Sequence, residues 1–191
     1  MRPLFLFLLL SLSSLVFPQE NPYSSHNSFS IHPRINLQAN VLQTVHLQNE
    51  YGKTDHFLGN SFSAGLEVAS CFNENFYYGI GAAYQFKGSI DTTLGDLGLL
   101  PLYVFIDYPL IERNSFPIYL TVQFGYGLLI LDNGLKSVNS GIFHALGLTT
   151  SVSKNVELKF LYAHNYGKVK LDNDEFRLRK ENLSIAFYYK F

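Results

Sequence analysis

The chain has 191 residues and a formal net charge of -1, with 15% charged and 16% aromatic residues, the latter 17 Phe and 13 Tyr with no Trp. That balance gives no general electrostatic case for nucleic-acid binding or for attraction to an anionic surface. The lone cysteine, Cys71, excludes an internal disulfide framework and any cysteine-based zinc cluster. A chain of this length holds one ordinary domain, and low charge with abundant Tyr, Phe and Gly suits a β-structure whose outer surface does not face water.

The N-terminus, "MRPLFLFLLLSLSSLVFPQE", has a minimal positive region at Arg2 and an apolar run from Leu4 to Leu10, followed by serines. This is the layout of a secretory signal, too short to span a bilayer. Residues 1–19 are therefore expected to be a signal peptide, 20–28 a linker and 29–191 a single β-domain.

From Ser28 onward the hydrophobic period is two. The first strand runs near 29–41, with Ile35, Leu37, Ala39 and Val41 against Arg34, Asn36, Gln38 and Asn40. The second, near 61–72, sets Phe62, Ala64, Leu66 and Val68 against Ser63, Gly65, Glu67 and Ala69. After the turn "NEN" (Asn73–Asn75), the third, near 76–87, opposes Phe76, Tyr78, Ile80, Ala82, Tyr84 and Phe86 to Tyr77, Gly79, Gly81, Ala83, Gln85 and Lys87. The fourth, near 99–108, places Leu100, Leu102, Val104 and Ile106 opposite Pro101, Tyr103, Phe105 and Asp107.

"ERNS" (Glu112–Ser115) is the next turn, and the fifth strand, near 116–128, follows. There Ile118, Leu120, Val122, Phe124 and Tyr126 oppose Tyr119, Thr121, Gln123, Gly125 and Gly127. The sixth, near 141–152, carries Ile142, Leu146, Leu148 and Val152, and "SKN" (Ser153–Asn155) turns into the seventh. The seventh opposes Val156, Leu158, Phe160 and Tyr162 to Glu157, Lys159, Leu161 and Ala163. The eighth is "NLSIAFYYKF", with Leu183, Ile185, Phe187, Tyr189 and Phe191 on one face.

Eight strands of about ten residues, joined alternately by short turns and longer loops, are the pattern of an antiparallel up-and-down transmembrane β-barrel. Lipid satisfies no backbone N–H or C=O, so a sheet in a bilayer closes on itself. A soluble sandwich or lipocalin-like barrel would carry Lys and Glu on its polar face. Here that face is Gly, Ala, Ser, Thr, Asn and Gln with scattered charges, which suits a narrow lumen.

The stretches "LLPLYVFIDYPL", "FPIYLTVQFGYGLLI", "LTTSVSKNVELKFLYAHNYG" and "NLSIAFYYKF" resemble the small OmpA/OmpX-like outer-membrane β-barrel superfamily over roughly 29–191. The resemblance implies a bacterial outer-membrane location. It also implies that the terminal aromatic, with Leu183, Ile185, Phe187 and Tyr189 upstream, is the signal read by the barrel-assembly machinery. The expected partners are that machinery, outer-membrane lipid and an extracellular ligand at the loops, with no cofactor and no nucleic acid.

The lumen face carries Arg34, Glu67, Lys87, Asp107, Glu157, Lys159 and Lys190. Unpaired charges in so narrow a tube would be costly, so they pair or hold water. Similarity to OmpA-type domains implies a salt-bridged plug and a structural, surface-interacting role; the alternative is a narrow channel for water, ions or small solutes. A second alternative, a lipid A-modifying hydrolase, meets an obstacle in "AHNYG": Tyr166 stands where a nucleophilic Ser would follow His164. No enzymatic role is expected. Metal binding by His46, Glu50, Asp55 and His56 has only weak support in their spacing. The two segments expected to meet partners are the loops 42–56 and 167–181, the second dense in mixed charge.

Overall fold

A computed structural model describes residues 31–72, 76–91, 95–111, 117–132, 137–171 and 174–191. The expected signal peptide and linker, and the turns Asn73–Asn75 and Glu112–Ser115, lie outside the described residues. The described residues form ten strands: β1 (Ile31–Asn49), β2 (Gly52–Leu58), β3 (Ser61–Phe72), β4 (Phe76–Asp91), β5 (Gly95–Ile111), β6 (Ile118–Asp132), β7 (Ser137–Asn139), β8 (Gly141–Ser151), β9 (Val156–Leu171) and β10 (Asp174–Lys190). Eight of them form one antiparallel ring in the order β1, β3, β4, β5, β6, β8, β9, β10, and β10 returns to β1. The short strands β2 and β7 sit outside the ring order, β2 on β1 and β7 on β9.

Closure rests on β1 and β10, paired from Arg34↔Lys190 to Gln48↔Arg177. Beyond Lys190, the Phe191 amide donates to the Pro33 carbonyl at 3.2 Å, and the Lys190 amide donates to the Asn155 carbonyl at 2.8 Å. The last residues are thus bonded on both sides of the seam.

The alternation divides outside from inside as the period-two pattern requires. Leu37, Phe62, Ile80, Phe124 and Phe187 are among the many large apolar side chains exposed on the outer face, whereas Arg34 and Lys159 on the inner face are 1% and 0% exposed. A water-soluble protein inverts this arrangement; the outer face forms a continuous apolar band of the kind a bilayer solvates. Inside, bulk is matched across strands. Tyr103 and Phe105 on β5 pair with Gly81 and Gly79 on β4, and a Cβ on either glycine would stand 2.6 Å or 2.9 Å from the facing ring. Any larger residue there would displace the aromatic or spread the strands.

The strands run further than expected at the long-loop end. The expected loop 42–56 is largely the β1–β2 hairpin, and the expected loop 167–181 is largely the ends of β9 and β10. The reason lies in the inner face, where Val45, Leu47, Leu58, Leu97, Leu99, Leu129, Val169 and Leu178 pack into one buried cluster. Period two therefore continues above the band with the apolar side turned inward. A bulge between Asn40 and Leu42 makes this switch on β1. It leaves Val41 and Leu42 both exposed and puts Gln43, Val45 and Leu47 inside.

Candidate functional site: the barrel lumen

The inner face below the bulge gathers most of the charged residues expected there. Arg34 faces Glu67 across β1–β3 and Lys190 across β1–β10, so one row already holds three charges. Arg34 Nη1 lies 3.0 Å from Asp107 Oδ2, 3.3 Å from Glu157 Oε2 and 3.7 Å from Glu67 Oε2. Lys159 Nζ lies 3.3 Å from Asp107 Oδ2 and 3.4 Å from Glu67 Oε2. Lys190, nearer the end of the tube, reaches Glu157 Oε1 at 3.0 Å. The Lys87 side chain lies outside the described residues.

Neutral groups complete the cluster. The Tyr103 hydroxyl donates to Glu67 at 3.0 Å, and the Thr121 hydroxyl donates to Asp107 at 2.8 Å. The Arg34 guanidinium lies 5.1 Å from the Tyr77 ring centroid, and Lys159 Nζ lies 4.4 Å from that of Tyr188. Aromatic faces are favourable neighbours for cations withdrawn from water. Arg34, Lys159 and Lys190 balance Glu67, Asp107 and Glu157, charge for charge, which is the condition for burying ions in a low-dielectric tube.

Above the charges sits a polar layer. Asn40 donates to Ser63 at 2.8 Å and accepts from Asn182 at 2.8 Å, while Gln43 donates to the Gly59 carbonyl at 2.7 Å. Gln85 donates to the Ser61 hydroxyl at 2.9 Å. A cavity of about 30 Å³ adjoins this layer, lined in part by Ser63, Gln85, Gln123 and Asn182, room for about one water. The inner apolar cluster of the strand extensions lies above that. From one end of the tube to the other, the lumen is charged, then polar, then mainly apolar, with the inward Lys180 in register with Val45 at the apolar end.

Solved structures share this ring architecture. Neisserial surface protein A superposes with a TM-score of 0.55 at 19% identity, over 83% of this chain and 97% of that one. The outer membrane protein OprG from Pseudomonas aeruginosa gives 0.54 at 14% identity, over 87% and 98%. The fold is that of a small outer-membrane β-barrel. The outer membrane protein AlkL, solved in lipid bilayers, gives 0.50 at 12% identity, over 92% of this chain and 97% of that one. No protein-family model matches the chain, and no curated protein matches it by sequence.

Some residues of this barrel were not singled out by sequence reasoning. Lys180 falls within the expected loop 167–181, yet it is an inward residue of β10, 2% exposed, beside Asn165 of β9 in the pairing register. The signal was there: Leu178, Lys180, Asn182 and Ser184 continue the inner alternation of the last strand. His164 faces outward and stacks on His144 at 5.0 Å, with its Nδ1 3.7 Å from Glu181. Tyr166 stacks on the same pair, and no serine hydroxyl is among the described partners of His164. His46 Nδ1 meets Asp55 at 2.6 Å, while His56 belongs to the other face of β2. Among the described residues no group of three His, Cys, Asp or Glu side chains gathers as metal ligands. At the tip of β10, a hydrogen bond from Lys168 holds the Glu175 carboxyl below the usual carboxylate range.

Proposed function

We propose that the chain is an integral outer-membrane protein of structural and surface-interacting role, its lumen blocked by its own side chains. The observation that carries this reading is the buried cluster of Arg34, Glu67, Asp107, Glu157 and Lys159. Its five ionic side chains meet across the tube through contacts of 3.0–3.7 Å. An eight-stranded lumen is just wide enough for side chains to fill, and Tyr103, Phe105 and Tyr188 occupy the room the ions leave. The apolar cluster at the opposite end adds a second obstruction, because an ion loses solvation among apolar side chains.

Export would follow from the N-terminal apolar segment, and assembly from the outward stripe Leu183, Ile185, Phe187, Tyr189 and Phe191. The rim hairpins would then face the cell exterior and be open to partners. A narrow channel is the second reading, favoured by the polar layer and its water-sized cavity. Single-channel recording on protein reconstituted in planar bilayers separates the two. The blocked barrel gives no steady openings at moderate voltage; steady, ohmic openings would overturn the blocked-lumen reading.

A further inference from the structure

The ring of ladders is complete only up to the polar layer. The β3–β4 ladder ends at Ser63↔Gln85, and the β6–β8 ladder ends at Gly127↔Gly141. Above those pairs β2 stands beside β4 and β7 beside β6, yet among the described residues neither couple forms a ladder. The rim is therefore two sheets separated by two seams. The larger leaf is β2, the upper parts of β1, β10 and β9, and β7. The smaller leaf is the upper parts of β4, β5 and β6.

The two leaves meet through apolar side chains. In the inner cluster Val45, Val169 and Leu178 come from the larger leaf, and Leu97, Leu99 and Leu129 from the smaller. Polar contacts cross the seams only at their feet, where Gln85 donates to the Ser61 hydroxyl at 2.9 Å and the Leu129 amide donates to the Ser140 hydroxyl at 3.0 Å. Above them no hydrogen bond or ion pair among the described residues joins the leaves. Apolar contact is non-directional, so the leaves can part without breaking a single ladder bond. The feet are also where the strands are irregular: the bulge on β1, the break at Gly59–Asn60 between β2 and β3, and the register shift between Gln85 and Gly88.

An independent observation concerns what the shut rim buries. Lys180 and Asn165, register partners on the inner face of the larger leaf, are 2% and 1% exposed. Lys180 Nζ and both polar atoms of the Asn165 carboxamide have no hydrogen-bond partner. An amine withdrawn from water without a partner is unsatisfied in either protonation state, and this disfavours the shut form. Parting the leaves returns both side chains to water.

We infer that the rim above the polar layer is a two-leaf closure, opening along its seams while the barrel below stays laddered, with Lys180 as the group that keeps the shut form only weakly preferred. Apolar burial closes the leaves and the unsatisfied amine opposes it, so the rim opens at a lower free energy than the ring. Opening admits water and small solutes to the polar layer. It leaves the cluster of Arg34, Glu67, Asp107, Glu157 and Lys159 in place, so it adds no through-channel.

The test is thiol labelling of the protein folded in phospholipid vesicles, with Cys71→Ser in every variant and a charged, water-soluble maleimide as probe. Val169→Cys reports on the rim cluster. Ala145→Cys, 2% exposed and inward between the β6–β8 and β8–β9 ladders, reports on the barrel below. Each rate is divided by that of the same variant unfolded in urea. The Val169→Cys thiol should label at least tenfold faster than the Ala145→Cys thiol. Adding Lys180→Met should slow the Val169→Cys thiol at least tenfold, because the shut form then buries no amine. Adding Lys180→Arg, which keeps a buried cation, should not slow it. Equal rates for the two reporters would show that the rim opens only with the whole barrel and would overturn the proposal. An unchanged Val169→Cys rate with Lys180→Met would overturn it too, as would equal slowing by Lys180→Met and Lys180→Arg, which would reduce Lys180 to packing.

Discussion

Replacing Lys159 with methionine removes a cation that is 0% exposed and touches two carboxylates, Glu67 at 3.4 Å and Asp107 at 3.3 Å. Breaking a buried ion pair from one side costs about 3–5 kcal/mol, because the other charge stays behind without compensation. The lower end applies, since Glu67 and Asp107 each keep Arg34 and one hydroxyl, from Tyr103 and Thr121 respectively. A loss of about 3 kcal/mol is roughly a 150-fold fall in the folding constant. With a urea dependence of about 2 kcal/mol per molar, the midpoint moves down by about 1.5 M. Methionine keeps the length of the side chain, so little of this is lost packing. The chain has no tryptophan, so unfolding in phospholipid vesicles is followed by far-UV circular dichroism and by mobility on unboiled gels. Adding Glu67→Gln restores two cations against two anions, and the double variant should be more stable than Lys159→Met alone. A single variant costing under about 1 kcal/mol would show that water screens the cluster, and the blocked-lumen reading would fall with it. A double variant that shows only the sum of the single losses would refute the charge-balance argument.

Two further outcomes are expected. Because Glu175 is held below the normal carboxylate range by Lys168, its contribution to the β9–β10 tip is present above its unfolded pKa and lost as pH falls through the lower folded value. Amide protection at 167–178, corrected for the intrinsic pH dependence of exchange, should therefore hold from pH 7 to about 5 and fall only below the normal carboxylate range; a fall already at pH 6 would exclude Glu175 as the cause. Removing Phe191 deletes the amide that bonds Pro33 at 3.2 Å and the last outward aromatic. Surface levels in cells should fall severalfold, while refolding into detergent in vitro changes little; normal surface levels would refute the assembly role.

The ring was legible because two-faced strands in lipid announce themselves by period two, and "FYYGIGAAYQFK" or "NLSIAFYYKF" reads that way without ambiguity. Ser61–Phe72 has the same limits in sequence and structure. The strand extensions were harder to read. Above the bilayer both faces of a strand can be polar, and the charges of "KVKLDNDEFRLRKE" mask Val169, Phe176 and Leu178 on its inner side. Lys180 was missed for the same reason, since a lysine amid charges looks like part of a loop until its neighbours' phase is counted. Membership of the lumen could be read from alternation, but not which charges meet. Arg34 and Asp107 are 73 residues apart, and only closure of the ring sets them 3.0 Å from each other.

The bulge between Asn40 and Leu42 divides the first strand into two reading frames. Below it, odd-numbered residues meet lipid; above it, even-numbered ones face out and odd-numbered ones pack inside. One added residue is thus already absorbed at this point, and the two halves of the strand are free to vary in sequence under different solvents. Length changes elsewhere in the strand would exchange its faces wholesale. At the bulge, the chain has a joint at which insertion and deletion are the least disruptive edits, and through which the rim can be remodelled while the membrane wall stays in phase.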